Sequence, residues 1–387
     1  MPWREASRVE LRRLFISVAR DGKLRFAAAC REFGISRKTG YKWMHRYCLG
    51  GEEGLKDRSR RPRKIRQGVD PQIVKELLKE KKAYPDWGAR KLCVRLVRRG
   101  IMPPPERTAN RILKRAGMVE ERVKAQRDPM GFERPRPNDL WQIDHKSAIH
   151  GAWARRAVPF LVSDDHSRYL VGLRSLPDKG LESTWTALWE IFGEYGLPVA
   201  ILSDNDQVFH GRVGPSRFEA RLMRLGIEVL HGRPYHPQTQ GKVERLGGTL
   251  QRELLRNGTF RSAEELQAAF DRFRRIYNFE RPHESLGMEV PAVRYRPSPR
   301  VRPDRLPEVE YPSGVCLRSV QKDGWISWKG SCIEVGVGFH GQRVEVREVG
   351  QGIEVYYGRF RILGTTLEHH KTREQKLRGT RVERVRW

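Results

Sequence analysis

Apolar positions recur every three or four residues through the first third of the chain, then give way near residue 139 to short alternating or continuous apolar runs. The first spacing predicts amphipathic helices and the second predicts strands. In RFAAACREFGISRKTGYKWMHRY, residues 25–47, two helices are expected, joined by a tight turn at Gly34 and with Ser36 capping the second. Ala27 to Cys30 are small enough for close helix approach, and Ile35 and Trp43 fall in the angle between the helices. Gly40, inside the second helix, costs about 1 kcal/mol relative to alanine. WGARKLCVRLVRRGIMPPPERTANRILKRAGM, residues 87–118, repeats the plan: an apolar-periodic helix, a turn after Gly100, prolines at a helix entry, and a second helix from about Glu106 to Ala116.

From Asp139 onward the pattern is α/β. LWQIDHKSAI, VPFLVSDDHSRYLVGLRSL and VAILSDND read as strands, whereas LESTWTALWEIFGEYG, PSRFEARLMRLG, Gln240–Arg256 and Ser262–Asn278 read as helices. A proline-rich connector follows, and then VCLRSVQKDGWISWKGSCIEV and QRVEVREVGQGIEVYYGRFRIL alternate at period two with glycine-containing turns, which predicts a small β-barrel. The expected organisation is a helical domain over 1–57, a linker over 58–70, a second helical domain over 71–118, and a linker over 119–138. An α/β core over 139–290, a connector over 291–312, a β-barrel over 313–365 and a basic tail over 366–387 complete it.

Charge changes the picture. With 76 Lys and Arg against 47 Asp and Glu, the formal charge is +29. Such an excess repels itself unless a polyanion neutralises it, and nucleic acid phosphates do so with release of condensed counterions. A merely very soluble protein and an anionic membrane surface are the alternatives, but no basic helix with an apolar Trp/Phe/Leu face stands out. The two helical domains then become helix-turn-helix candidates, with an ordinary helical hairpin as the alternative reading. The first would present Arg37, Lys38, Lys42 and Arg46 to a major groove; the second would present Arg107, Arg111, Lys114 and Arg115. Between them the basic run RSRRPRKIRQ offers Arg58, Arg60, Arg61, Arg63 and Lys64 to the DNA backbone. The five cysteines have no zinc-finger spacing, and no apolar run is long enough to span a bilayer. The expectation is a soluble protein of the cytoplasm, associated with the nucleoid.

Against this basic background, a few acids stand out. In HPQTQGKVERLGGTLQREL, Val243, Leu246, Leu250 and Leu254 form one apolar stripe of a helix, with Arg245, Arg252 and Arg256 opposite and Glu244 on the border. A carboxylate beside phosphates repels them unless a cation lies between. Asp144 sits within a strand on the face opposite Trp141 and Ile143, and Asp204 ends the apolar run VAILS, where an α/β sheet exposes its strand ends. Three oxygen donors on rigid elements suit two Mg²⁺ ions, which would activate an attacking oxygen and stabilise the leaving one at phosphorus. Singly, each acid has an ordinary explanation: a strand-edge charge, a turn or cap residue, an ion-pair partner. Asp139, Asp164 and Asp165 read as turn residues and stay as weak alternates to the three acids; His231, His236 and His283 read as hydrogen-bonded structural histidines, with phosphate contact or assistance in catalysis as the alternative. Tyr235, Gln238, Thr239 and Gln240 are neutral donors suited to positioning phosphates, with Lys242, Arg245 and Arg252 as charged contacts nearby.

WQID, ILSDN, HPQTQGKVER and YNFERPHESLG resemble the integrase-like core of DDE transposases from bacterial insertion sequences, relatives of retroviral integrases. The resemblance implies a ribonuclease-H-like fold, with Asp144, Asp204 and Glu244 as the metal-binding triad for two Mg²⁺ ions, Mn²⁺ being a substitute. It also implies cutting at transposon ends to expose 3′ hydroxyls that attack target DNA, without a covalent enzyme intermediate. This chain departs from the family in several places. Asp206 stands where a glycine is common, Gln251 stands where a basic residue is usual, and Gly247 and Gly248 replace bulkier residues. The interval between Asp204 and Glu244, 39 residues, is longer than usual, and HGRVGPSR is the candidate insertion. The expected function is a DNA transposase acting as a dimer or larger assembly on double-stranded DNA, both transposon ends and target. A structure-selective nuclease and an inactivated DNA-binding descendant are the alternatives.

Overall fold

A computed structural model of the chain describes residues 7–58, 68–119, 133–150, 156–204, 206–211, 214–231, 241–256 and 258–366. It divides into two compact units, residues 1–68 and 69–387.

The first unit holds three helices, α1 (Arg8–Arg20), α2 (Phe26–Glu32) and α3 (Arg37–Gly50). A capping box between Ser7 and Glu10 starts α1, and the Ser36 hydroxyl accepts the Thr39 amide at 3.2 Å to start α3. The chain turns between α2 and α3 at Gly34, whose φ of +62° favours glycine. Phe15, Ile16, Ala29, Cys30, Trp43 and Leu55 form the core. Gly40, a cost on helix propensity, is required by packing. A β-carbon there would lie 2.6 Å from Cys30 Sγ and 3.0 Å from the Phe15 ring. Gly40→Val is therefore expected to overpack the α2–α3 contact by about 1–3 kcal/mol. Thermal unfolding of the full chain should show an earlier transition for this unit; an unchanged profile would mean the helices part easily.

The second unit opens with α4 (Pro71–Ala83), α5 (Ala89–Arg98) and α6 (Glu106–Arg115), packed around Leu77, Trp87, Leu92, Leu96 and Leu113. Six strands follow: β1 (Leu140–His145), β2 (Ile149–His150), β3 (Arg156–Asp164), β4 (Leu170–Leu176), β5 (Ala200–Ser203) and β6 (Glu228–His231). β3 pairs antiparallel with β4 on one side and with β1 and β2 on the other; β5 joins β1 in parallel and β6 joins β5 in parallel. This mixed sheet, with helices on both faces, is the ribonuclease-H-like arrangement. One face carries Trp141, Ile143, Phe160 and Val162 against α7 (Leu181–Tyr195) and α8 (Arg217–Arg224). The other carries Leu161, Leu170 and Leu173 against α9 (Gly241–Leu250), which runs into a π-turn over Gln251–Leu255, and against α10 (Ala263–Phe279).

The first three helices of this unit dock on the core. The Tyr84 hydroxyl donates to Glu280 at 2.9 Å, and Arg95 bridges Glu80 and Glu280 at 2.6 and 2.8 Å. After α11 (Pro291–Arg294) the proline-rich connector is pinned back: Tyr295 stacks on Tyr169 at 4.2 Å and Arg300 donates to the Leu225 carbonyl at 2.9 Å. The C-terminal strands are β7 (Leu317–Ser319), β8 (Trp325–Trp328), β9 (Ser331–Glu334), β10 (Arg343–Val349), β11 (Gly352–Tyr357) and β12 (Phe360–Thr366). The expected β-rich C-terminal domain is present, and closure into a barrel is not shown. β12, β11, β10 and β7 form an open four-stranded sheet, β8 and β9 a separate ribbon, and no sheet closes among the described residues. The inward faces instead cover their apolar side chains against one another and against Ala220 of α8.

Candidate metal centre and nucleic-acid interface

Asp144 and Asp204 meet through strand register. Leu140 lies beside Ala200 and Gln142 beside Leu202 in the parallel β1–β5 pair, so two residues further on Asp144 and Asp204 stand next to each other at the strand ends. Alternation along β1 buries Trp141 and Ile143 on the α7 face and turns Gln142 and Asp144 toward α9. The carboxyl of Asp204 is held above the usual range, first by burial and then by the neighbouring charges of Asp144 and Asp206; the Asp206 amide, donating at 3.1 Å, and Lys179 pull it down. Asp206 opens the next turn, accepting from the Val208 amide, with Lys179 3.5 Å away.

α9 is set over this edge by a buried polar clasp. The side-chain oxygen of Gln142 accepts the Val243 amide at 3.3 Å, while its nitrogen donates to Asp165 at 2.7 Å. The same carboxylate takes the Lys242 ammonium at 2.6 Å and the Arg134 amide at 2.7 Å. Val243, Leu246 and Leu250 are buried as the stripe requires, and Glu244 and Arg245 are exposed. Glu244 thus projects from the first turn of a helix whose start is bonded to the strand that carries Asp144.

Lys146 fills the gap. Its ammonium pairs with Asp144, and its stem lies against Gly247, one helical turn from Glu244, where a β-carbon would collide with it. Gly247 therefore admits the lysine. Asp144, Asp204 and Glu244 are not among the residues whose donor atoms already converge within 4.8 Å; among the described residues that set is His210, Glu219 and His231. The donor chemistry nonetheless fits a divalent cation. Two hard carboxylates lie side by side, one of them destabilised as an anion and the other paired with the Lys146 ammonium, a cation where a metal would sit.

The other acids are structural. Asp164 accepts from the Asn138 amide at 2.7 Å and from both the amide and hydroxyl of Ser167, and Asp165 belongs to the clasp. His283 is half-buried, and desolvation pushes its imidazole down to about 3. Lys242, read from the sequence as a phosphate contact, pairs with Asp165 in the DNA-free chain, with a side chain 17% exposed. A carboxylate with no exposed surface holds it inward.

Of the basic residues, Arg37, Lys38 and Lys42 are exposed on α3 and Arg46 is half-buried, its guanidinium 4.9 Å from the Trp43 ring. Arg107, Arg111, Lys114 and Arg115 are exposed on α6, and Arg58, Arg245 and Arg252 are exposed as well. Arg60, Arg61, Arg63, Lys64, Tyr235, Gln238, Thr239 and Gln240 lie outside the described residues. No helix among the described residues is long and apolar enough to cross a membrane.

Comparison with known proteins agrees with this layout. The integrase core domain family matches residues 134–237, and a second integrase core domain model matches 225–291. Helix-turn-helix models match residues 12–63 and 39–113, the latter described as homeodomain-like. The chain therefore carries helix-turn-helix domains in front of an integrase core, whose superfamily comprises polynucleotidyl transferases. The IS481 family transposase C-terminal domain matches residues 315–372.

An uncharacterized 39.2 kDa protein of insertion element IS476 from Xanthomonas euvesicatoria is 32% identical over 183 residues, 45% of this chain and 50% of that protein. The Gag-Pol polyprotein of Koala retrovirus is 26% identical over 137 residues, 35% of this chain and 8% of the polyprotein. The chain thus spans about half the length of the first relative. Among solved structures, the HTLV-2 integrase catalytic core domain in complex with magnesium overlays 42% of this chain and 99% of its own, at 17% identity and a TM-score of 0.33. The catalytic core domain of BIV integrase overlays 40% of this chain and 92% of its own, at 24% identity and a TM-score of 0.32.

Proposed function

We propose that this protein is a DNA transposase that binds the terminal inverted repeats of its element and cuts and joins DNA strands at the Asp144, Asp204 and Glu244 site. The placement of Asp144 beside Asp204 on neighbouring strands, under the helix that bears Glu244, carries the reading. A pair of Mg²⁺ ions held by these carboxylates supplies the positive charge needed at phosphorus for an in-line displacement. The chain's own residues do the rest. Gln142 and Asp165 fix the pitch of α9, Arg245 and Arg252 face the phosphates, and the neutral donors of residues 235–240 position the strand. The α1–α3 and α4–α6 domains read the element's ends, with Arg37, Lys38 and Lys42 on one recognition helix and Arg107, Arg111 and Lys114 on the other. Two ends must be held together, so the active species is a dimer or a larger assembly on DNA.

A nuclease reading shares every one of these residues and differs in outcome. Incubation of the full chain with Mg²⁺, a 3′-recessed end of its element and a target plasmid separates the two: a transposase gives covalently joined product, and cutting without joining would support the nuclease instead. Retained DNA affinity with no cutting at all would leave only a DNA-binding descendant.

Lys146 competes with metal for Asp144. Removing one cation a few ångströms from the site, Lys146→Met should tighten Mn²⁺ binding by roughly tenfold at low ionic strength. Calorimetric titration of the DNA-free protein measures this directly, and an unchanged affinity would place the ammonium outside the metal's path.

A further inference from the structure

We infer that His210, Glu219 and His231 form a second cation site, built for a borderline transition-metal dication such as Zn²⁺ and separate from the three-carboxylate centre. The inference rests on these residues alone and stands whether or not the protein transposes DNA.

The three side chains come from different elements. His210 lies in the turn that follows Asp206, Glu219 in the first turn of α8, and His231 at the end of β6. One donor atom from each falls within 4.8 Å of the other two. Zn²⁺ with donors at about 2.1 Å in a tetrahedron sets them about 3.4 Å apart, so closing the site takes only small side-chain shifts. Two imidazoles and one carboxylate are a ligand set of the kind used by catalytic zinc sites, leaving further positions for water. Imidazole nitrogens favour zinc, cobalt or nickel over Mg²⁺, which takes oxygen donors.

The surroundings orient each ligand. Glu219 Oε2 accepts the Ser216 amide at 2.6 Å and the Gly211 amide at 3.3 Å, which turns Oε1 toward His231 Nε2, 2.8 Å away. The His231 ring meets the His210 ring edge-on, with centroids 4.5 Å apart. On its other side His231 Nδ1 faces the Ser203 hydroxyl at 3.3 Å. That hydroxyl can donate or accept, so it tolerates the tautomer with the proton on Nδ1 that frees Nε2 for a metal. Glu219 and His231 side chains are 1% and 6% exposed, which excludes most competing water. Ser203 pairs with His231 across β5 and β6, so a bound ion would also brace the strand end next to Asp204.

Cobalt(II) is the probe, because its visible absorption reports coordination by histidine. The full-length protein, stripped with chelator, is expected to take up one equivalent of Co²⁺ with a visible band that Zn²⁺ abolishes and millimolar Mg²⁺ does not. His210→Ala and His231→Gln should each weaken Co²⁺ by at least about tenfold. His231→Gln retains a partner for Glu219, and His210→Ala alone decides if that variant fails to fold. Asp144→Asn with Glu244→Gln should leave the band in place. Absence of the band, its persistence in folded His210→Ala, or its loss only in the Asp144→Asn, Glu244→Gln protein would each overturn the site and leave an ordinary His–Glu hydrogen bond.

Discussion

Asp204→Asn is expected to lower Mg²⁺-dependent strand cleavage by about a thousandfold or more while leaving affinity for element ends within a few-fold, because it removes charge where divalent cations must be held. The same change should stabilise the metal-free protein. Burial and the charges of Asp144 and Asp206 hold the Asp204 carboxyl above the ordinary range, so its ionised form is a liability in the folded state. A carboxyl raised by folding adds stability below its unfolded value, near pH 4, and loses it as pH rises through the folded value. The variant, neutral throughout, should therefore match the parent in acid and exceed it by about 2 °C in melting temperature at neutral pH with chelator present. Adding Mg²⁺ should narrow the gap by stabilising the parent alone. A neutral-pH melting temperature no higher than the parent's would mean that the carboxylate is already compensated, and metal capture would lose its driving force.

How far the sequence foretells this site depends on the range of the interactions involved. Val243, Leu246 and Leu250 reveal α9 because helix periodicity is local, and the alternation around Trp141 and Ile143 orients Asp144 for the same reason. That Asp144 stands beside Asp204 depends on strand pairing across 60 residues, which no local pattern encodes. Strand β6 gives no local signal: its four residues are all half-buried, without the alternation that marks a one-sided strand. Gly40 shows propensity yielding to packing, since the cost of a glycine in a helix is smaller than that of a β-carbon pressed on Cys30. The docking of α4–α6 on α10 rests on polar pairs such as Tyr84 with Glu280, 196 residues apart, and polar residues at exposed-looking helix positions announce no partner. The C-terminal strands are legible as strands, but closure depends on which edges pair, and no sheet closes among the described residues.

Lys242 is where the structure adds most to a reading from composition, and its partner Asp165 yields the largest stability effect expected in the core. In a chain of charge +29, a lysine at the head of a helix reads as a phosphate contact. Its ammonium instead lies 2.6 Å from Asp165, a carboxylate with no exposed side-chain surface, and burial lowers the lysine's own pKa. Asp165→Ala would remove the ammonium's buried counter-charge and the acceptor of the Gln142 side-chain nitrogen and the Arg134 amide, at a cost of about 3–5 kcal/mol. Because Gln142 also receives the Val243 amide, the loss should concentrate at the start of α9, visible as faster hydrogen exchange over residues 241–250. Adding Lys242→Met should recover part of the loss, since no buried charge is then left alone. DNA binding supplies the second measurement. Arg252→Ala should reduce the salt dependence of affinity by about one counterion, whereas Lys242→Met should leave the slope unchanged. Equal slopes lost in both variants would show that Lys242 leaves Asp165 to grip a phosphate, and the clasp would then be a state of the DNA-free protein only.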